Sequence, residues 1–259
     1  MKKLLIAALI GLLAMSAFAQ TIEVGGSTSV APLMEQLVSA YTSSNPNVRV
    51  NINATGSGDG INNAGTVYQL GMSSRDLTPA EKGRGYTERV IAIDGIAVIV
   101  HRNNPVSNLT LEQIRDIYSG AITDWSQVTG GRKQGRIAVI SRESGSGTRG
   151  AFEEIVGLCS LVAGATENTS TGAIKASITQ NQDAIGYISL GSVDRTIKAV
   201  NVEGVAASAR NVANRSYRLA RPFILLHTAT LTPASRAFLD WILSRAGQTI
   251  VRNAGYVPI

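Results

Sequence analysis

The chain has 259 residues, is 44% hydrophobic, and carries a formal net charge of +6 with one cysteine and two histidines. One cysteine excludes an internal disulfide, and two histidines without a Cys/His cluster exclude an ordinary transition-metal site. Scattered basic residues and only 5% aromatics argue against nucleic acid as a partner, whereas this balance of charge is compatible with an anionic ligand.

The first residues form a targeting signal. Lys2 and Lys3 make a basic start, Leu4 to Leu13 an apolar run, and Ala17-Phe18-Ala19 a small-x-small cleavage site. The run is shorter than the roughly 20 residues that a membrane span needs. Cleavage after Ala19 predicts a mature chain that starts at Gln20, is exported to the periplasm, and carries no lipid-bearing cysteine, since Cys159 lies far away.

From there strand and helix patterns alternate, which predicts α/β layers. Ile22 to Val24 is a short strand running into Gly25-Gly26-Ser27-Thr28-Ser29. Apolar residues at Val30, Leu33, Met34, Leu37, Val38 and Tyr41 then give one face of a helix. Val48, Val50 and Ile52 alternate with polar residues, as in a half-buried strand that ends in Thr55-Gly56-Ser57-Gly58-Asp59-Gly60. Gly71-Met72-Ser73-Ser74-Arg75-Asp76 adds hydroxyls, an arginine and a carboxylate to a candidate site, or else is a solvated turn before a helix near Thr78-Pro79. Val90 to Val100 is a long central strand leaving one lobe.

A second unit begins after Asn103-Asn104-Pro105. Thr110 with Gln113 makes a capping box for the helix Leu111 to Tyr118, and Gly120 ends it. The strand Ile137 to Ile140 leads into Ser141-Arg142-Glu143-Ser144-Gly145-Ser146-Gly147-Thr148, and a helix follows with Phe152, Ile155 and Val156 on one face. Ala184 to Ser189, Ile197 to Val202 and Pro222 to Leu226 supply further strands before the helix Ser235 to Ser244. No internal repeat interrupts this order.

Three loops share one design, in which a strand ends, small Gly/Ser/Thr residues follow, and a helix begins: Gly26 to Ser29, Gly56 to Gly60, and Gly145 to Thr148. Helix N-termini present unpaired N–H groups and the positive end of the dipole, which favour an anion. Each loop taken singly is also an ordinary N-cap. Three together, with Arg142 just ahead of the last, point to a tetrahedral oxyanion, which a guanidinium fork fits well. The sequence holds no G-x-x-x-x-G-K-[ST] loop, no G-x-S-x-G elbow, and no histidine beside a candidate nucleophile.

These loops carry a resemblance. Gly26-Ser27-Thr28-Ser29-Val30-Ala31-Pro32, Thr55-Gly56-Ser57-Gly58 and Arg142-Glu143-Ser144-Gly145-Ser146-Gly147-Thr148-Arg149, with Ala184-Ile185-Gly186-Tyr187 and Asp94 to Asp124, resemble the phosphate-binding proteins of bacterial phosphate ABC transporters over the whole mature chain. The resemblance implies an α/β, two-lobed periplasmic-binding-protein fold (type II-like), each lobe a mixed sheet flanked by helices. Lobe 1 would hold 20–98 plus 217–259 and lobe 2 would hold 99–216. Inorganic phosphate would sit in the cleft and pass to a membrane permease, with the receptor a monomer that needs no cofactor. Carried over by motif, Thr28, Ser29 and Ser57 would bind from lobe 1, and Arg142, Ser146, Gly147 and Thr148 from lobe 2. Ser74 stands where many relatives carry an aspartate that accepts a proton from phosphate, so Ser74, Asp76 or Asp59 would take that role. Ser144 stands where many carry an acid that orients the arginine, a role left to Glu143. Two other readings remain at this point: a receptor for sulfate, molybdate or arsenate, and an exported phosphatase using a loop serine such as Ser146.

Overall fold

The computed structural model describes residues 20–259, so the expected signal at 1–19 lies outside the described residues. The chain begins with β1 (Gln20–Gly26), α1 (Ala31–Ser44), β2 (Val48–Ala54), α2 (Ser57–Asn62), β3 (Leu70–Ser73) and α3 (Pro79–Lys82). β1 pairs in parallel with β2 on one side and with β3 on the other. Helix α1 buries Leu33, Met34, Leu37 and Tyr41, one stripe at helical spacing, against Ile22 and Val24 of β1. Val48, Val50 and Ile52 of β2 lie on the same cluster. Gly71 to Ser73, which a solvated turn would place outside any strand, are strand residues buried in the sheet, and the bend begins at Ser74.

The strand β4 (Thr87–His101) is fifteen residues long and changes partners along its length. Thr87 to Gly95 run antiparallel to the last strand of the chain, while Ile96 to Val100 run antiparallel to a strand of the following unit. One continuous β-branched strand therefore belongs to two sheets.

That following unit contains β5 (Asn108–Leu109), α4 (Leu111–Ser119), α5 (Ser126–Thr129), β6 (Ala138–Arg142), α6 (Gly147–Val156), β7 (Thr166–Asn168), α7 (Thr171–Gln180), β8 (Ala184–Ser189), β9 (Ile197–Ala199), β10 (Asn201–Val202) and α8 (Ala209–Ala213). Thr110 and Gln113 make the reciprocal cap of α4, and Gly120 ends it in the left-handed conformation at φ 87°. The strand expected over Ile197 to Val202 is split, because its first part pairs with β4 and its second with β5. The chain then returns through β11 (Ala220–His227) and closes with α9 (Pro233–Leu243) and α10 (Arg245–Asn253).

The strands lie in the order β2-β1-β3-β11-β4 and continue from β4 as β8-β6-β7, with β9 also on β4. The result is a two-lobed α/β fold in which each lobe is a mixed sheet with flanking helices. The apolar contacts divide in the same way. Ile22, Leu33, Phe223 and Phe238 belong to one cluster, and Trp125, Tyr118, Phe152 and Tyr187 to another. Each fully buried side chain of this size stabilises its own lobe by roughly 1.5–3 kcal/mol. The strand segments that cross between lobes are held together at one level: Ile96 N–H donates to Leu219 O at 2.7 Å, and Tyr217 Oη–H donates to Ile96 O at 2.9 Å.

Candidate anion site between the lobes

All three Gly/Ser/Thr loops end on the same face between the lobes. The loop after β1 reaches α1, the loop after β2 reaches α2, and the loop after β6 reaches α6. They arrive there because β1, β2 and β6 each run toward the cleft and each hands over to a helix at its C-terminal end. This is the position where ligands collect in open α/β sheets.

The structure brings residues of the two lobes into direct contact. Ser29 Oγ lies 2.8 Å from Thr148 Oγ1 and 3.1 Å from Thr171 Oγ1. Gly58 N–H donates to Gly145 O at 3.0 Å. Gly147 fits against lobe 1 so closely that a Cβ added to it would collide with Ser57 Oγ and lie 2.8 Å from Ser74 Oγ. This is a closed arrangement.

On the lobe 1 side, three serines form a cluster. Ser27 Oγ–H donates to Ser74 Oγ at 2.9 Å, Ser74 Oγ lies 3.3 Å from Ser57 Oγ, and Ser74 N–H donates to Ser57 Oγ at 3.1 Å. Ser29, Ser57 and Ser74 are all buried, whereas Thr28 is half-buried at the rim and accepts from Thr171 N–H at 3.4 Å. On the lobe 2 side, Ser146 caps its own helix by accepting from Arg149 N–H at 3.3 Å, the ordinary role of a serine there. Its hydroxyl proton remains free to donate. Among the described residues, the N–H groups of Thr28, Ser57, Gly147 and Thr148 donate to no protein atom, although Ser57, Gly147 and Thr148 are buried. Buried donors without acceptors are rare and costly, and here they border the meeting point of the loops.

Arg142 ends β6 with its side chain only 3% exposed. Glu143 takes both Nε and Nη2 of the guanidinium, at 2.9 and 2.8 Å, and the carbonyls of Asn168 and Thr169 lie at 3.2 and 3.4 Å. The Nη1 edge makes no hydrogen bond with protein among the described residues. Glu143 therefore fixes the fork and leaves one edge uncommitted. Tyr187 Oη accepts from Arg142 N–H at 3.3 Å and bonds Ser141 Oγ at 2.8 Å, which ties the end of β6 to β8. Burial pushes this phenol up to about 12, so it keeps its proton.

Of the three residues considered as proton acceptor, only Ser74 belongs to the cluster. Asp59 is bound on both oxygens, by Thr55 and Tyr68 on Oδ2 and by Asn63 on Oδ1. Asp76 is exposed. Ser27, whose hydroxyl the first loop offers as a donor, joins the cluster, whereas the three loop motifs do not single out Thr171. Thr171 opens α7 after Asn168-Thr169-Ser170, and its run of small hydroxyl residues before a helix is the same signal that marks the other three loops. Among the described residues no group of three or more His, Cys, Asp or Glu is placed to hold a metal ion.

A two-lobed α/β protein with buried donors from both lobes meeting in one cleft defines a class: binding proteins that take a small ligand between two lobes. Comparison with known proteins gives the particular family. The PBP superfamily domain matches residues 14–246. A Clostridium perfringens crystal structure, described as a phosphate ABC transporter substrate-binding protein with bound phosphate, is 45% identical, covers 93% of this chain and 100% of its own, and superposes with a TM-score of 0.90. An ABC-type phosphate transport receptor from Vibrio cholerae is 34% identical over 93% of this chain and 100% of its own, with a TM-score of 0.76. The phosphate-binding protein PstS of Borreliella burgdorferi is 28% identical over 92% of this chain and 90% of its own length. The chain belongs to the PBP superfamily and, within it, to the family of substrate-binding proteins of phosphate ABC transporters.

Proposed function

We propose that this protein binds one inorganic phosphate between its lobes and delivers it to the membrane permease of an ABC importer, after export to the periplasm. The observation that carries this reading is the ring of buried donors. The hydroxyls of Ser29, Ser57 and Ser74 from lobe 1 meet Gly147 and Thr148 from lobe 2, with unpaired N–H groups at Ser57, Gly147 and Thr148 and a free edge on Arg142. Donors without acceptors suit a ligand made of acceptors. The bound anion would contact both lobes and so favour the closed state by its differential affinity.

The lobes would be 20–98 with 217–259, and 99–216. The change of partner in β4 at Gly95/Ile96 and the return crossing at Leu219/Ala220 lie three residues from these bounds and support the division to that precision. No helix among the described residues is long and apolar enough to cross a membrane, which agrees with a periplasmic receptor. The reading is of binding without turnover. The relatives are named as a phosphate-binding protein and a phosphate transport receptor, and the two histidines lie in local contacts elsewhere: His101 accepts from Asn103 N–H and His227 bonds Thr228 O.

Isothermal titration with phosphate tests the proposal. We expect one site per chain with a dissociation constant at or below about 1 µM, or about −8 kcal/mol, and a smaller radius of gyration by small-angle scattering when phosphate is present. An absence of heat at millimolar phosphate, or sustained release of phosphate from an ester through repeated purification, would overturn it.

A further inference from the structure

Next to the cleft lies an ion pair that neither the loop motifs nor the anion reading uses. Asp94 on β4 and Arg221 on β11 stand opposite each other in the antiparallel register, one residue before the strands cross between lobes. Each side chain is 1% exposed. Arg221 uses one edge of its guanidinium on Asp94 Oδ2, from Nη2 at 3.1 Å and Nε at 3.4 Å. The other edge, Nη1, donates to Ser74 O at 3.0 Å. On the far side of the carboxylate, Ser189 Oγ–H at the end of β8 donates to Asp94 Oδ1 at 3.0 Å. The guanidinium also lies over the Phe223 ring, 5.4 Å from its centre. The buried pair thus ties together the residue after β3, the middle of β4, the end of β8 and the start of β11, which are strands of both lobes.

A purely structural role accounts poorly for this choice of residues. Two charges taken fully out of water are often no better for stability than well-packed apolar side chains of the same volume. Burial indeed raises the Asp94 carboxyl, to about 6, against the pull of Arg221. What the pair supplies that apolar residues cannot is a fixed donor aimed at one carbonyl. That carbonyl belongs to the residue whose side chain and N–H join Ser27 and Ser57 in the serine cluster, and Gly147 closes against that cluster. A lysine could neutralise Asp94, but it has no second planar edge with which to reach Ser74 at the same time.

We propose that Arg221 is a positioning residue of the anion cleft: anchored on Asp94, it holds the Ser74 carbonyl and so fixes the Ser27–Ser57–Ser74 hydroxyl cluster at the place where lobe 2 closes. It acts through Ser74 and does not touch the anion itself. The assignment rests on the reading of the cleft as a phosphate site.

The test combines phosphate titration, thermal melting and amide exchange on the parent and three variants: Arg221→Lys, Arg221→Met, and the double variant Arg221→Met/Asp94→Asn. The double variant leaves no unpaired buried charge, so it keeps the question open if Arg221→Met fails to fold. We expect phosphate affinity to fall at least tenfold, about 1.4 kcal/mol, in Arg221→Lys and in the double variant. Amide exchange across residues 70–76 should quicken in both while exchange in α9 stays parental. A folded variant whose phosphate affinity and 70–76 exchange match the parent would overturn the assignment, however far its melting temperature drops. A parent that fails to bind phosphate would instead overturn the function proposed above, and the exchange arm would still decide whether Arg221 fixes the Ser74 segment.

Discussion

The two walls of the cleft are built from different chemistry. Lobe 1 presents neutral hydroxyls, of which Ser57 and Ser74 are braced by bonds between serines of that lobe and Thr28 and Ser29 meet Thr148 and Thr171 of the other. Lobe 2 presents the ionised side chain, Arg142, together with the first turn of α6. Arg142 is already balanced by Glu143, so the cleft holds little net charge. Attraction for an anion must then come from oriented dipoles and from the one uncommitted guanidinium edge, which are worth more in a buried site than in water. The contrast suggests a division of labour, in which the neutral wall fixes shape and the charged wall supplies pull.

The largest effect should come from blocking the meeting of the walls. Gly147→Ala places a methyl group into Ser57 Oγ and Ser74 Oγ, and the lobes must stay apart to accommodate it. Phosphate affinity should fall by at least about 100-fold, near 2.7 kcal/mol, while the melting temperature without ligand stays parental because the open protein has room for the methyl. Calorimetry that finds near-parental affinity would show that the walls do not close at Gly147. Removing the charge comes next. Arg142→Ala should weaken phosphate by about 1.5–3 kcal/mol, the range for a hydrogen bond to a charged group, and should flatten the salt dependence of binding. If Arg142→Ala costs less than a serine on the opposite wall, the division of labour is wrong.

Much of this cleft is legible in the amino-acid order. The Gly/Ser/Thr loops are visible because backbone donors at helix starts require small residues locally, and α1 and α4 are visible because their apolar spacing and caps are local too. What the order of residues hides is set by distant partners. Thr171 matters through Ser29, 142 positions away. Arg221 looks like a polar residue at a strand start until the register sets it against Asp94, 127 positions away. Gly71 to Ser73 read as a turn because a glycine and a serine flank the single apolar Met72, whereas pairing with β1 and β11 decides the matter. The break between β9 and β10 likewise follows from a change of partner, which no periodicity announces.

A smaller effect should appear on the neutral wall. Ser57→Ala removes one hydroxyl from a cluster of three and should cost about 1.5 kcal/mol of phosphate affinity, the low end for a hydrogen bond to a charged group, with no change in salt dependence. Outside the cleft, Arg75 of lobe 1 lies over Gly150 of α6 and is held there by Glu81, at 2.7 and 2.8 Å. Arg75 draws the Glu81 carboxyl down, from 4.5 to about 2. A carboxyl lowered in the folded state contributes stability above its unfolded value and loses it as pH falls through its folded value. Between about pH 4.5 and pH 2 the parent should therefore lose about 1 kcal/mol more than Glu81→Gln, a small amount because the pair is near the surface. Parallel acid-melting curves for the two proteins would show that this contact adds nothing to stability.

The smallest expected effect tests whether lobe 1 is neutral at all. Two aspartates, Asp59 and Asp76, lie close in sequence to Ser57 and Ser74, and either would turn the neutral wall into an acidic one if it faced the anion. Asp59 instead spends both oxygens on Thr55, Asn63 and Tyr68, and those bonds, led by the one from Thr55, lower its carboxyl below the ordinary range. Asp76 is exposed. Neither is arranged to accept from protonated phosphate, so Asp59→Asn and Asp76→Asn should each leave phosphate affinity within about twofold, or 0.4 kcal/mol, of the parent. Ser74→Ala should cost more than either. Sulfate, which has no proton near neutral pH, supplies the sharper comparison. A fixed carboxylate would repel it, whereas the Ser74 hydroxyl can rotate and donate. Competition by sulfate should therefore be unchanged by both asparagine substitutions and should fall when Ser74 is replaced by Asp. If either asparagine variant admits sulfate that the parent excludes, a carboxylate of lobe 1 faces the anion and the wall is not neutral.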